Sequence, residues 1–250
     1  MKVIFATDFY ASSTTARALL TRLEWPTAAR LEMLHVLTPP RPSSLFAASR
    51  GHDPAILEAA VSELRSFAGD LAARVDGSRG SVQYTIRVGD PASSILKRAA
   101  ATAADLLVIG GPGRAESVSG EMSPLSAAVV EGAPCSVLVA RTESVDNLVL
   151  ADPSTAAVQS AAWVSRWPLF RSIPLTAVAV EDDFGQNDLV VINTDVGRDG
   201  TIGGELARAF TGWSLMIARR TRSPYDRQRS ASERHGFASC TGPGRQLLRR

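Results

Sequence analysis

Short apolar runs alternate along the first 140 or so residues with longer stretches in which apolar positions return every three or four residues. The run at residues 2–7 predicts a strand, and Ala16, Leu19, Leu20 and Leu23 behind it share one face of a helix. Residues 31–37 form a second strand, followed at 38–52 by a Pro-, Arg- and Ser-rich loop that is either a mobile cover or a variable excursion. Asp53-Pro54 then starts the longest helix, with Asp as N-cap and Pro at the first helical position. Its expected buried stripe is Leu57, Ala60, Val61, Leu64, Phe67, Ala68, Leu71 and Val75. A third strand at 82–88 leads into Gly89-Asp90-Pro91, which caps the next helix by the same logic. A fourth strand at 106–109, a helix at 124–130 and a fifth strand at 136–140 complete the series. Such alternation defines an α/β fold, a doubly wound parallel sheet covered on both faces. Right-handed crossovers, with the chain turning back after the third strand, give the strand order 3-2-1-4-5.

The pattern then returns in shortened form. Val3-Ile-Phe-Ala-Thr-Asp8 is echoed by Leu148-Val-Leu-Ala-Asp152, and Trp25-Pro26 by Trp167-Pro168. Asp105-Leu-Leu-Val-Ile109 is echoed by Asp188-Leu-Val-Val-Ile192, and Ser136-Val-Leu-Val-Ala-Arg141 by Ser214-Leu-Met-Ile-Ala-Arg219. Pairs in one order imply duplication. The second copy is truncated, because only residues 181–187 separate its second strand, 175–180, from the next. The division expected is a full α/β domain at 1–142, a degenerate copy at 145–220 that leans on it, and a basic tail at 221–250.

Charge sharpens that division. From Arg219 onward nine arginines face Asp226 and Glu233, a balance of +7 that leaves −5 for the rest of a chain whose net charge is +2. The tail has no apolar periodicity and reads as a disordered, solvated terminus, with nucleic-acid binding the weaker reading. No apolar run approaches a membrane span, and the first residues carry no export signal, so a cytoplasmic protein is expected. Cys135 reads as a small core residue and Cys240 as a tail residue, which excludes a disulfide framework. His35 lies within the second strand without metal-ligating neighbours at the right spacing, so it is a core or rim residue and no metal is expected.

In doubly wound sheets ligands bind beyond the carboxyl ends of the strands where the order reverses, here between strands one and four. Strand one ends in Ala6-Thr7-Asp8, and strand four in Gly110-Gly-Pro-Gly113 followed by Arg114. A carboxylate accepts hydrogen bonds from ribose hydroxyls or an adenine amine, and a glycine turn lets backbone approach a phosphate. The structural alternative is that Asp8 caps the following helix and the glycines simply make a turn.

With Asp8, Leu34-His-Val36, Val88-Gly-Asp-Pro91, Asp105-Leu-Leu-Val-Ile-Gly-Gly-Pro-Gly113 and Ala133-Pro-Cys-Ser-Val-Leu-Val-Ala-Arg141 in view, the first half resembles the universal stress protein family, and the whole resembles its tandem form. The resemblance implies a Rossmann-like fold, pairing of two copies through their last strands, and a division between members that bind ATP and members that do not. The binders carry Gly-x-x-Gly, nine residues, then Gly-Ser or Gly-Thr. Gly110-x-x-Gly113 matches, whereas the second element is Ser123-Pro124, which removes one N–H of the phosphate cradle. Ser123 or Ser126 offers a replacement hydroxyl. The implied nucleotide contacts are therefore Ala6, Thr7, Asp8, Val36, Gly110, Gly113, Arg114, Ser123 and Ser126, with Mg²⁺ only as companion of a nucleotide. Arg41, Arg50 and Arg114 make the first half the better anion acceptor. In the second half Asp152, Glu181, Asp182, Asp183, Asp195 and Asp199 collect near the corresponding strand ends, either as a cation site or as a solvated acidic rim.

The function expected is that of a non-catalytic stress-response or signalling protein that senses an adenine nucleotide and presents the result to a protein partner. Its second half would serve as an internal dimer partner. A nucleotide-free scaffold and a slow ATP hydrolase are the alternatives. Against the last, the chain has neither the Gly-x-x-x-x-Gly-Lys-Ser/Thr phosphate loop nor the Gly-x-Ser-x-Gly nucleophile turn.

Overall fold

The apolar runs named above all become strands of a single sheet. In the computed structural model of the 250-residue chain the described residues are 1–38, 54–76, 80–111, 122–151, 167–178, 188–193 and 214–218. The first half holds β1 (Lys2–Ala6), β2 (Arg30–Leu37), β3 (Ser81–Val88), β4 (Leu106–Gly110) and β5 (Ser136–Ala140). Between them run α1 (Ala11–Arg22), α2 (Pro54–Asp76), α3 (Pro91–Thr102) and α4 (Pro124–Gly132). The second half contributes β6 (Asn147–Ala151), a 3₁₀ turn at Pro168–Phe170, β7 (Leu175–Val178), β8 (Asp188–Asn193) and β9 (Ser214–Ala218). Strand order is β3-β2-β1-β4-β5-β9-β8-β6-β7, which contains the expected 3-2-1-4-5. Read outward from β9, the second half runs in the order of last, fourth, first and second strand. It is a partial copy of the same fold, turned round to meet the first.

Residues two apart along each strand face the same side, so β1, β2, β4, β5, β8 and β9 each feed both cores. Val3, Phe5, Leu31, Met33, Leu106, Val108 and Leu138 pack with Leu19 and Leu20 of α1 and Leu64, Phe67 and Leu71 of α2. On the other face Ile4, Leu34, Leu107, Ile109, Val137 and Val139 pack with Ile95 and Ala99 of α3 and Val129 and Val130 of α4. The second half extends both layers, with Leu148, Leu150, Leu189, Val191 and Met216 in the first and Val190, Leu215 and Ile217 in the second. The strands alone do not divide the molecule, because the two halves share their cores. Asp105, just before β4, accepts the Lys2 N–H at 2.7 Å and so satisfies the first donor of β1. Cys135 is fully buried, as a small core residue should be.

Two expectations need correction. Leu57 is 43% exposed, and Val61 is only half-buried. The apolar stripe of α2 is real from Ala60 onward, but its first turns run past the ends of the strands, where there is no sheet to cover. Ile56, Ala59 and Ala60 border a cavity there instead. The second departure is small: β1 ends at Ala6, whose pairing with Leu34 is the last of the ladder and is closed by the Thr7 N–H donating to Leu34 O at 3.0 Å. At α3 the expected cap is present, Asp90 accepting from Ser93 N at 2.8 Å with Pro91 in the first turn. Asp53, residues 39–52 and residues 219–250, and with them the predicted cap, loop and tail, lie outside the described residues.

The halves meet where β5 and β9 pair antiparallel, Val137 opposite Ile217, Leu138 opposite Met216 and Val139 opposite Leu215. All other neighbouring strands are parallel. Ser214, fully buried, closes the end of this seam. Its Oγ accepts the backbone N–H groups of Arg141 and Thr142 at 3.0 and 3.1 Å and lies 2.8 Å from Thr142 Oγ1. Since Thr142 Oγ1 donates to Ser144 O at 2.9 Å, the hydroxyl proton of Ser214 goes to Thr142 Oγ1. The Arg141 side chain is buried beside Gly111, and burial lowers its pKa from the ordinary arginine value.

Ser214→Ala removes the acceptor of two N–H groups in a dry seam. The expected cost is about 1–3 kcal/mol, or a fall of roughly 2–10 °C in Tm for a chain of this size. Thermal unfolding of the variant checks this, and an unchanged Tm would show that the seam does not depend on Ser214.

Candidate functional site

A cavity of about 780 Å³ opens beyond the carboxyl ends of β1, β2 and β4, at the point where the chain crosses to opposite sides of the sheet. It is bordered by the starts of α1, α2, α3 and α4. This is the position that the winding rule assigns to a ligand, and the volume suits a nucleoside-sized molecule. Its walls are mostly apolar, with Leu34, Val36, Ile95 and Ile109 supplied by the strands and α3.

Asp8 stands at the end of β1, solvent-exposed on the cavity wall. Its Oδ1 accepts from Ser13 Oγ at 2.6 Å and from Tyr10 N at 3.1 Å, while its own N–H donates to Ser13 Oγ at 3.1 Å. The carboxylate therefore fastens the first turn of α1, which itself has no side-chain N-cap. The capping and ligand readings of Asp8 are compatible. One oxygen is engaged by the helix, and Oδ2 has no hydrogen-bond partner among the described residues.

Between Asp8 and the helix the chain makes an unusual turn. Phe9 adopts φ 66°, a left-handed conformation that costs a non-glycine residue roughly 1–2 kcal/mol. Packing offsets this. The Phe9 ring lies 4.5 Å from the His35 ring and meets Phe67 edge-on at 5.5 Å. His35 Nδ1 is 2.8 Å from Thr7 O, and because a carbonyl only accepts, that nitrogen carries the proton. His35 is half-buried, a rim residue of the cavity, with Nε2 as its remaining polar atom.

Gly110 owes its identity to packing. A Cβ there would sit 2.8 Å from Ser13 N and closer still to the Ser12 carbonyl, so α1 could not lie where it does. The glycine that the sequence offered for phosphate approach is needed first for the approach of a helix backbone. Ser123 is the N-cap of α4, its Oγ accepting Ser126 N at 3.1 Å and lying 2.9 Å from Ser126 Oγ, and Pro124 fills the first helical position.

Of the residues expected at the site, Ala6, Thr7, Asp8, Val36, Gly110, Ser123 and Ser126 all line this one cavity. Gly113 and Arg114 lie outside the described residues, as do Arg41, Arg50 and the acidic positions 152, 181–183, 195 and 199 of the second half. The residues that sequence reasoning missed are Phe9, Tyr10, Ser13 and Glu63. Glu63 was detectable, since it follows Ile56 and Ala59 at helical spacing on a face out of phase with the buried stripe. Ser13 had only its position in the first turn after Asp8 as a signal. Among the described residues no group of three metal-ligating side chains occurs, and no helix is long and apolar enough to cross a membrane.

This fold agrees with what comparison with known proteins finds. The model of the universal stress protein family matches residues 1–141, and the chain belongs to that family. No curated protein matches it. A universal stress protein from Archaeoglobus fulgidus is 12% identical, with 88% of this chain and 96% of that one covered at a TM-score of 0.54. A functionally unknown protein from Pseudomonas aeruginosa is 13% identical, with 93% and 97% covered, also at 0.54. Both likenesses extend across the two halves and show the shared fold. A universal stress protein solved in complex with cAMP is 20% identical, with 57% of this chain and 97% of that one covered at a TM-score of 0.40.

Phe9 provides a test of how the wall is held. Phe9→Ala and Phe9→Gly lose the same ring contacts, but glycine relieves the left-handed backbone. Phe9→Gly should be the more stable of the two by about 1 kcal/mol. Urea titration of both variants measures the difference, and equal midpoints would mean that the turn is relaxed.

Proposed function

We propose that the cavity recognises the adenosine part of an adenine nucleotide, in a stress-response protein that senses its ligand without transforming it. The observation that supports this most directly is the placement of Asp8. Its carboxylate is fixed at the switch point by Ser13 and Tyr10, beside apolar walls that suit a base, and Oδ2 remains for ribose hydroxyls. A strand-end acid, a crevice of this size and membership of the family lead to one reading. By the family resemblance the nucleotide is ATP, and any Mg²⁺ arrives with its phosphates.

Binding without turnover is supported by how the nearby hydroxyls are used. Ser13 serves Asp8, Ser123 serves the start of α4, and His35 Nδ1 is directed to a backbone carbonyl. None of these bonds forms a pair of nucleophile and neutral base. The second half acts as the internal partner through the β5–β9 seam, and occupancy of the cavity is read in the cytoplasm by a protein that contacts its rim.

Titration calorimetry of the full chain with adenosine, AMP and ATP in the presence of Mg²⁺ tests this reading. At least one should bind in the micromolar range. Asp8→Asn should weaken it about tenfold, a change of 1.4 kcal/mol, while an asparagine Oδ1 still accepts from Ser13 and Tyr10 and keeps Tm within about 2 °C. If no adenosine compound binds at millimolar concentration, the reading fails, and a nucleotide-free scaffold takes its place.

A further inference from the structure

One stripe of α2 serves three neighbours in turn. Ile56, Ala59, Ala60 and Glu63 border the cavity, Phe67 one turn on meets the Phe9 ring edge-on at 5.5 Å, and Asp70 a turn further accepts from Arg17 Nη1 at 2.9 Å. Steps of three and four residues keep these side chains on one side of the helix. Arg17 belongs to α1 and lies one turn after Ser13, whose hydroxyl donates to the Asp8 carboxylate at 2.6 Å. Its guanidinium carbon also stands 4.2 Å from the centroid of the Phe67 ring, so one side chain grips α2 through a charge and through an aromatic face. From there the contacts run on to the cavity wall: Phe67 against Phe9, Phe9 against the His35 ring at 4.5 Å, and His35 Nδ1 to the Thr7 carbonyl at 2.8 Å.

We propose that Arg17 is a positioning residue for the cavity: by docking α2 on α1 it fixes the Phe67–Phe9 contact that holds the left-handed turn beside Asp8, and so sets the affinity for the ligand. The proposal rests on the adenosine reading above and adds to it a residue that does not line the cavity. The ion pair alone is too exposed to anchor a helix, with Arg17 25% and Asp70 56% accessible. The flat cation over the ring supplies the rest, and a lysine at this position reproduces the charge without the plane. Leu19 and Leu20 of α1 share a core with Leu64 and Leu71 of α2, which keeps α2 packed when Arg17 is removed. Loss of Arg17 therefore shows as a displaced cavity wall in a folded chain.

Two readouts on the full chain test this: calorimetric affinity for adenosine, and the proton NMR signals of the His35 imidazole, which sense the Phe9 ring without any ligand. Arg17→Met keeps an unbranched stem and loses the cation. It should weaken adenosine binding about fivefold and move the His35 signals, and Arg17→Lys should recover part of both. Ser214→Ala, which weakens the β5–β9 seam and does not touch the cavity, is the control and should change neither. Unaltered affinity in Arg17→Met overturns the proposal and leaves the adenosine reading intact. A loss of affinity with the His35 signals unmoved overturns the route through Phe67 and Phe9, and an equal loss in Ser214→Ala assigns the effect to stability and overturns it as well. If adenosine does not bind the unaltered chain, the adenosine reading fails, and the His35 signals alone decide whether Arg17 positions the wall. Should Arg17→Met not fold, Arg17→Lys takes its place in the same comparison.

Discussion

The antiparallel pairing of β5 with β9 is the contact on which the rest of the molecule depends. All five residues of β5 are buried, a state a strand reaches only with neighbours on both edges and cover on both faces. β4 supplies one edge and β9 the other. Without β9 the first half would expose an apolar edge, the form of surface most prone to uncontrolled pairing. Without β5 the described strands of the second half, four to six residues each, would lack a partner on the β9 edge. Leu138 and Met216 lie opposite each other in one core, and Val139 and Leu215 in the other, so both layers cross the seam without interruption. Ser214 completes the end of the seam at the point where the chain leaves β5 for the second half.

That arrangement has a consequence for the cavity. The switch point between β1 and β4 is flanked by β1, β2 and β3 on one side and by β4, β5 and the seam on the other, so its geometry is set by the middle of the first half's sheet. Phe9 accepts a left-handed backbone because its ring fits between His35 and Phe67, and the turn so made delivers Asp8 to the start of α1. Gly110 lets α1 approach β4 closely enough for Ser13 to reach Asp8. Side-chain packing, backbone strain and a carboxylate bond are thus linked in one short segment.

Much of this was readable from the chain. Strand order followed from alternation and handedness, and the position of the cavity followed from where the order reverses. The β5–β9 pairing was implied by the echo of Ser136–Arg141 in residues 214–219 together with the family resemblance. Less readable was anything decided by where an element ends relative to its neighbours. Leu57 has the periodicity of a core residue, but α2 begins beyond the strand ends, and periodicity carries no information about that offset. Phe9 gave no signal either, because a phenylalanine in a left-handed turn violates local preference and is stable only through contacts with β2 and α2. Gly110 was legible as special, but the close approach of α1 was not, since a glycine in sequence does not say whether a ligand or a helix comes near it.

Ser123-Pro124 shows how one local change separates fold from ligand preference. Proline is favoured in the first turn of a helix because its φ is already helical and its missing N–H is one the helix does not use. For an anion the same N–H is among the few donors that matter. Serine at the N-cap acts in the same direction, since the hydroxyl that stabilises α4 does so by occupying Ser126 N–H. Both residues thus make the helix start better as structure and poorer as an anion site. The fold registers no loss, and α4 still packs Val129 and Val130 into the core. Helix stability and phosphate affinity draw on the same few N–H groups, and in this chain the helix has taken them.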